Sequence, residues 1–465
     1  MPEIQRTLSP VDGRVYVERP LATASDIERV LAIAVAAQRA WRGVAIAERA
    51  RVCHAFSAEF ERRGSDIALE ISWQMGRPAS ASPGEVRGTL ERTRYMIDAA
   101  TGALVDLDVG PKSGFRRFIR HEPLGVVLTI AAWNYPYLIA VNSIIPAIMA
   151  GNAVILKHSA QTPLCAERFA ECLAAAGLPD GVFQFLHMSH ADTERVIRDP
   201  RIAFVSFTGS VDGGHAVQRA ASERFIGIGL ELGGNDPAYV REDADFDHAV
   251  ENLADGAFFN SGQSCCGIGR VYVHKALYAR FVEAFVELTR QYRLGNPLDT
   301  SNNLGPLVRT AAAADVRRVI EGAVHAGARA LIDERSFAAS AAGTPYLAPQ
   351  VLVDVRQEWP VMQEETFGPL VSIMPVGSDD EAVALMNDSR YGLTAAIWTA
   401  DEQAALAIGD RVNTGTWFMN RCDYLDPALA WVGVRDSGRG CALSVLGYGQ
   451  LTRPKSFHLR SVSRS

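Results

Sequence analysis

The chain has 465 residues, with 46 Lys and Arg against 53 Asp and Glu, and a formal net charge of −7. That balance argues against nucleic acid or an anionic membrane as the main partner, and the length exceeds what a single hydrophobic core ordinarily supports. Hydrophobic residues at 48% and charged residues at 21% describe an ordinary soluble globular protein of two or three domains acting on a small molecule.

In chain order, Ser25-Asp26-Ile27-Glu28 reads as a capping box, and Ile27, Val30, Leu31, Ala34 and Trp41 follow at helical spacing. Helical pattern resumes from about Ala47 to Arg63 and from Glu85 to Ala100, so the first hundred residues are mostly helical. Leu124–Leu156 carries no charged side chain and is long enough to span a bilayer. Asn134, Pro136, Asn142, Pro146, Gly151 and Asn152 interrupt it, and a buried strand–helix–strand unit accounts for the same residues without freeing backbone groups in lipid.

From Leu124 the rhythm changes. Leu124–Ala131, Ala153–Lys157, Val182–His187, Ile202–Phe207 and Phe225–Leu230 are short apolar runs suited to buried parallel strands. Between them lie the helical stretches Tyr137–Ala150, Pro163–Ala176, Ala191–Arg198 and Asp212–Ala221. This alternation predicts βαβ units and an α/β fold, with ligands at the carboxyl ends of the strands. After Glu231 a second α/β region begins, with strands at Arg270–His274 and Val371–Pro375, helices at Ala311–Ala326 and Asp380–Met386, and a surface loop at Ser336–Thr344. Two charged, alternating strands, Phe115–Glu122 and Ser456–Arg460, stand outside both regions. They are either solvated edges or partners, of each other or of a neighbouring subunit.

Seven cysteines, at 53, 165, 172, 265, 266, 422 and 441, include no CxxC pair, so neither a disulfide framework nor a zinc site is expected and no metal is assigned. The first residues, Met1 to Arg6, have no apolar signal core, and a cytoplasmic protein is expected. Cys265 lies in Phe259-Asn260-Ser261-Gly262-Gln263-Ser264-Cys265, and Glu231-Leu232-Gly233-Gly234-Asn235 precedes it, 34 residues separating Glu231 from the thiol. A thiol can capture a carbonyl carbon, and a carboxylate can activate the water that releases the product. A lone cysteine in apolar surroundings is more often an inert core residue, so the weight rests on the motifs around it.

Those motifs agree in order with several others: Ala132-Trp133-Asn134-Tyr135-Pro136, Phe207-Thr208-Gly209-Ser210 followed by Gly214, Glu365-Thr366-Phe367-Gly368-Pro369, and Gly433 with Ser437-Gly438-Arg439-Gly440. Together, from Ser9-Pro10-Val11-Asp12-Gly13 to near Arg460, the chain resembles the aldehyde dehydrogenase superfamily. The resemblance implies a Rossmann-like parallel-sheet cofactor domain (1–111 and 124–231), a second α/β catalytic domain (232–442) and a small β oligomerisation element (112–123 and 443–465). It implies oxidation of an aldehyde to a carboxylic acid with NAD or NADP, in a homodimer or homotetramer.

By the same resemblance, Cys265 attacks the aldehyde to form a thiohemiacetal, and Cys266 either packs beside it or protects it by reversible oxidation. The Asn134 side-chain amide and the Cys265 backbone N–H would hold the oxyanion, preset donors worth roughly 3–4 kcal/mol each. Glu231 is implied as the general base that hydrolyses the thioacyl enzyme, which disfavours the coenzyme A-acylating branch. No GxGxxG is present; Gly209, Ser210 and Gly214 match the family's own pyrophosphate turn, which brings a helix N-terminus to the phosphates.

Trp133, Lys157, Ser159, Glu365 and Phe367 are the further cofactor residues implied. Ala160 stands where many NAD-specific relatives carry a glutamate, so a 2′-phosphate on Lys157 and Ser159 is as admissible as its absence. His158 reads as a packed loop residue. Cys441-Ala442 replaces an Arg-Glu common among relatives, which removes any support that pair would give. The substrate pocket implied by motif position comprises Tyr135, Ile139, Asn142, Ser264, Cys266, Leu425 and Trp431, and suits a medium-sized aldehyde. Two alternatives remain: Arg421 beside Asp423 receiving a distal carboxylate, as in a semialdehyde dehydrogenase, and a non-catalytic nucleotide-binding relative of the same fold.

Overall fold

The computed structural model describes residues 3–422 and 424–460. Among these, one six-stranded sheet runs in the order Gly438–Arg439, Gly227–Glu231, Ile202–Thr208, Val126–Ala131, Ala153–His158 and Phe183–Phe185. Every pairing is parallel except the first, where Gly438 and Arg439 lie antiparallel to Glu231 and Leu230. The central strands are apolar on both faces. Val126, Leu128 and Ile130 enter one core cluster and Val127 and Ala131 another, as expected of parallel strands covered by helices on both sides. The connections proceed outward in one direction from Val126–Ala131 and then in the other. The crevice between the carboxyl ends of Val126–Ala131 and Ile202–Thr208 is therefore the topological switch point where ligands bind such sheets.

A second sheet of seven strands is ordered Arg329–Ala330, Gln350–Val353, Leu370–Val376, Ile268–His274, Asp236–Val240, Thr394–Trp398 and Thr416–Met419. Only its first pair is antiparallel. Here too the faces alternate: Ala238, Val240, Val271 and Val273 point into one cluster, Tyr239 and Tyr272 into the other.

The uncharged Leu124–Leu156 segment is the strand Val126–Ala131, the helix Pro136–Ala150 and the strand Ala153–His158. No helix among the described residues is long and apolar enough to cross a membrane. The two charged strands pair with each other: Thr452–Arg460 runs antiparallel to Phe115–Pro123 in continuous register, with Leu107–Asp108 on the far side. Phe118 stacks on Phe457 at 4.5 Å and Phe115 on His458 at 4.6 Å, so aromatic rungs hold together strands otherwise rich in arginine.

Two local expectations need correction. The first helix is capped by Thr23, not Ser25: the Thr23 hydroxyl accepts from Asp26 N and the Asp26 carboxylate from Thr23 N. This register brings Ala22 and Ile27 to the flanking positions where apolar side chains can meet; Ile27 belongs to one core cluster and Ala22 packs against it. The strand expected from Phe225 begins at Gly227, and Phe225 is fully exposed.

Candidate active site

The helix Phe246–Phe258 delivers the chain into a tight turn at Phe259–Gly262. Asn260 (φ 55°) and Ser261 (φ 57°) are both left-handed, and Gly262 follows at φ 70°. Two successive non-glycine residues in that region cost roughly 1–2 kcal/mol each, so their surroundings must hold them. Asn260 accepts from Arg77 Nε at 3.0 Å and donates to the carbonyls of Asn134 (3.2 Å) and Gln263 (3.1 Å). Ser261 Oγ donates to Gly305 O at 2.8 Å, and Gln263 Oε1 accepts from Val308 N at 2.8 Å. A Cβ on Gly262 would overlap the Gly368 carbonyl. The turn presents Cys265 to an inner cavity of about 70 Å³.

Cys265, Glu231, Tyr135, Ile139, Asn142, Cys266, Leu425 and Trp431 all line that cavity. Ser264 is buried beside it, its hydroxyl 3.5 Å from Cys266 Sγ. Asn134 lies behind the wall rather than on it, with Nδ2 donating to Gln263 O at 3.3 Å and its own carbonyl accepting from Arg77. Motif reading did not find Arg77, Glu85 and Arg92, and it gave Asn260 no role although the motif contains it. Arg77 pairs with Glu85, whose Oε1 accepts from Tyr137 N at 2.7 Å, so this ion pair anchors the start of the helix after Asn134. A signal existed: Glu85, Thr89 and Arg92 sit on the buried face of the helix Ser82–Ala103, where an amphipathic pattern calls for apolar side chains.

Glu231 ends its strand at the switch-point side of the sheet, its carbonyl accepting from Gly209 N at 3.0 Å. Burial pushes its carboxyl up to about 7; the Arg92 cation, the Thr208 hydroxyl (3.5 Å) and the Trp431 indole act the other way. The pKa of the Cys265 thiol is raised well above its ordinary value by its hydrogen bond with the free Cys266 thiol and by burial. A thiol in this state needs a base before it can attack.

On the other side of Glu231 lies a surface shaped for a dinucleotide. The strand Ile202–Thr208 turns through Gly209 into the helix Val211–Ala220, whose cap Ser210 accepts from Gly213 N at 3.2 Å. A Cβ on Gly209 would strike the Phe207 ring and one on Gly214 the end of the Leu232 side chain; with glycine at both positions the helix packs closely and its N-terminal N–H groups can meet a phosphate. The Lys157 ammonium is buried, which lowers its pKa, and has no carboxylate within 4.0 Å among the described residues. Ser159 caps Gln161 N at 3.2 Å, and the Ala160 carbonyl accepts from Thr7 Oγ1 at 2.7 Å.

Glu365 Oε1 accepts from Gly234 N at 3.1 Å, and burial pushes that carboxyl up to about 7. The Phe367 ring meets Trp133 edge-on at 5.5 Å. A buried ammonium without a counter-ion, a glycine-framed helix end, a hydrogen-bonding carboxyl and an aromatic pair fit a nicotinamide dinucleotide. His158 is a link in the structure: its ring nitrogens lie 3.0 Å from Pro136 O and from Thr162 Oγ1, and burial pushes its pKa down to about 4.

An outer groove of about 740 Å³ continues from the inner cavity and shares Arg92, Tyr135, Leu138 and Leu425 with it. Arg421 lines only this groove, its guanidinium 4.1 Å from the Tyr424 ring centroid, while Tyr424 OH donates to Glu91 at 2.7 Å. Asp423, the expected partner of Arg421, lies outside the described residues.

Known proteins resemble the chain across its whole length. The profile of the aldehyde dehydrogenase family matches residues 2–457. A 3,6-anhydro-alpha-L-galactose dehydrogenase of Streptomyces coelicolor is 33% identical over 462 residues, covering 97% of this chain and 92% of the relative. A succinate-semialdehyde dehydrogenase (NADP(+)) of Mycobacterium bovis is 32% identical over 452 residues, covering 97% and 98%. Among solved structures, succinic semialdehyde dehydrogenase from Streptococcus pyogenes with NADP+ superimposes with a TM-score of 0.94 at 28% identity, covering 98% of this chain and 100% of that one. An NAD-dependent aldehyde dehydrogenase from Sinorhizobium meliloti gives 0.94 at 30%, covering 100% and 92%.

Proposed function

The chain belongs to the aldehyde dehydrogenase family and is an NAD(P)-dependent oxidoreductase, and from that premise we propose that it oxidises an aldehyde to a carboxylic acid through a thioester on Cys265. The observation that carries this reading is that Cys265 and Glu231 face one cavity, at the switch point of the six-stranded sheet.

In this reading Cys265 loses its proton to Glu231 and its sulfur adds to the carbonyl carbon. The oxyanion so formed takes hydrogen bonds from the Cys265 backbone N–H and the Asn134 amide, which gives up its 3.3 Å bond to Gln263 O. Gly209, Ser210, Gly214, Lys157 and Ser159 hold the phosphates and adenosine ribose of the dinucleotide, and Glu365, Phe367 and Trp133 hold its nicotinamide end. When bound there, the nicotinamide supplies the hydride acceptor that turns a thiohemiacetal into a thioester. Glu231 releases the thiol proton to solvent and takes another from water as the hydroxide attacks the thioester carbon; that proton re-forms the Cys265 thiol as the acid leaves.

The segments 1–111 and 124–231 serve as the cofactor domain and 232–442 as the catalytic domain. The strands within 112–123 and 443–465 join copies of the chain into a dimer or tetramer; the support is that Thr452–Arg460 forms an edge of its sheet among the described residues. Ala160 places no carboxylate at its position, so NADP is admitted beside NAD; Ala160→Glu is expected to reduce NADP use at least tenfold relative to NAD.

An aldehyde panel assayed with NAD and with NADP tests the whole reading. Reduced cofactor should accumulate with the native chain and not with Cys265→Ala; unchanged turnover in that variant would remove the nucleophile assignment.

A further inference from the structure

Arg92 is a cation in the reaction cavity that the Cys265 and Glu231 motifs do not contain. It lies on the helix Ser82–Ala103, is 8% exposed, and lines both the inner cavity and the outer groove. Its Nη1 donates to Leu138 O at 2.9 Å and to Asn142 Oδ1 at 3.1 Å, both neutral acceptors. No carboxylate comes within 4.0 Å of it among the described residues. The neighbouring buried arginine, Arg77, is by contrast neutralised by Glu85. A guanidinium removed from water is costly to keep without a hydrogen-bonded anion; Glu231, in the same cavity, and Glu85 act on this one only at a distance, and it faces space large enough for a ligand.

The walls around it decide what that ligand is. Leu138, Ile139, Leu425 and Trp431 are apolar, so little else in the cavity competes for an anion and its attraction to the cation is weakly screened. With Nη1 committed, Nε and Nη2 remain as a two-pronged edge matched to a carboxylate. Arg421 lines the outer groove only and lies over an aromatic ring, which makes it a weaker candidate for a group tethered to an aldehyde at Cys265.

We propose that Arg92 receives a carboxylate at the far end of the substrate, so that this site prefers short ω-oxo carboxylates over uncharged aldehydes of equal length. The proposal rests on the aldehyde-oxidising reading given above. Both charges belong to the ground state and persist through the reaction, so the contact acts on substrate affinity and reads out in KM.

The test compares kcat/KM for 4-oxobutanoate with butanal, and for 5-oxopentanoate with pentanal, in the native chain, Arg92→Gln and Arg92→Lys. The native chain should favour the oxo acid at least tenfold. That ratio should fall at least tenfold in Arg92→Gln, through the KM of the oxo acid, and recover in part in Arg92→Lys. Absence of a preference in the native chain overturns the proposal, as does a ratio unchanged in Arg92→Gln. An equal loss on both aldehydes would leave that ratio unchanged and assign Arg92 to holding Leu138 and Asn142 in position. Should Arg92→Gln fail to fold, competition by succinate against butanal in the native chain decides, since weak competition contradicts an anion receptor. Should no aldehyde turn over, the reaction assignment falls by itself. Calorimetric titration with succinate then judges Arg92 alone: binding lost in Arg92→Gln supports the receptor, and equal or absent binding overturns it.

Discussion

Arg77 and Asn260, 183 residues apart in sequence, are joined by a buried hydrogen bond of 3.0 Å that ties the helical N-terminal region to the left-handed turn before Cys265. The same guanidinium pairs with Glu85 and reaches the Asn134 carbonyl, so one side chain spans the asparagine proposed to hold the oxyanion and the turn before the proposed nucleophile. Arg77→Met leaves Glu85 buried without its counter-ion and should cost ~3–5 kcal/mol of stability, visible as a lowered melting temperature. Adding Glu85→Gln removes the stranded charge while its side-chain oxygen can still accept from Tyr137 N. The double variant should therefore regain much of the stability but little of the kcat, because Asn260 and Asn134 remain untied. Recovery of kcat in step with stability would mean that Arg77 serves the fold alone.

Gly234 is a second mechanical constraint on the nucleophile, since a Cβ there would overlap the Cys265 carbonyl. Backbone does not yield as a flexible side chain does, so Gly234→Ala should displace the Cys265 loop and cost ~1–3 kcal/mol. We expect kcat to fall at least tenfold, together with a changed rate of Cys265 alkylation by iodoacetamide. Gly102 offers the control: it lies in the helix Ser82–Ala103 with nothing within 4 Å of an added Cβ. Gly102→Ala should gain ~0.5–1 kcal/mol from helix propensity and leave kcat alone. Equal behaviour of the two variants would refute the close-approach argument.

Which parts of this architecture are visible in a single sequence follows from how far each interaction reaches along the chain. The strands Val126–Ala131, Ala153–His158 and Ile202–Thr208 are legible because burial on both faces writes a continuous apolar run into the residues themselves. Cys265, Glu231 and Gly209 stand in short motifs whose small neighbours are needed locally, so they too can be read. Arg77, Arg92 and Asn260 have no such local reason. Besides the local bonds of Arg77 to Glu85 and of Asn260 to Gln263, they reach partners 46 to 183 residues away, and only folding brings those together. The shift of the first cap from Ser25 to Thr23 has a related origin: both registers satisfy the local rule, and contact between Ala22 and the cluster containing Ile27 selects one. The pairing of Phe115–Pro123 with Thr452–Arg460 was one of several open options, because alternating charge marks an exposed strand without naming its neighbour.

Glu231 should impose its own pH dependence on turnover. Burial raises its carboxyl to about 7, and only the carboxylate can take a proton from water, so activity is lost as pH falls through that value. Below it, kcat should drop about tenfold per pH unit, where deacylation limits the rate. Glu231→Gln should remove this limb, slow the single burst of reduced cofactor because Cys265 loses its base, and then stall. Rapid-mixing traces at pH 6 and pH 8 would check both features. A native limb retained in Glu231→Gln would transfer the base role to another group.

Asp236 offers a test of a buried carboxyl that does no chemistry. Its Oδ2 accepts from Thr394 N at 3.2 Å and from Thr394 Oγ1 at 2.5 Å. Burial nonetheless pushes its pKa up to about 8, against the opposing Thr394 bonds and the Arg270 charge. A carboxyl held protonated in the fold but ionised in the unfolded chain contributes its stability below the unfolded value near 3.8 and loses it as pH rises through the folded value near 8. Across that window one such group removes up to ~1.4 kcal/mol of unfolding free energy per pH unit. Glu231 and Glu365, both raised to about 7, act in the same direction, so the native chain should weaken steadily from pH 5 to 8. Asp236→Asn keeps an acceptor for Thr394 and removes one titrating proton. Its denaturant midpoint should therefore decline less over the same range, and parallel curves for the two proteins would show that Asp236 is already ionised in the fold.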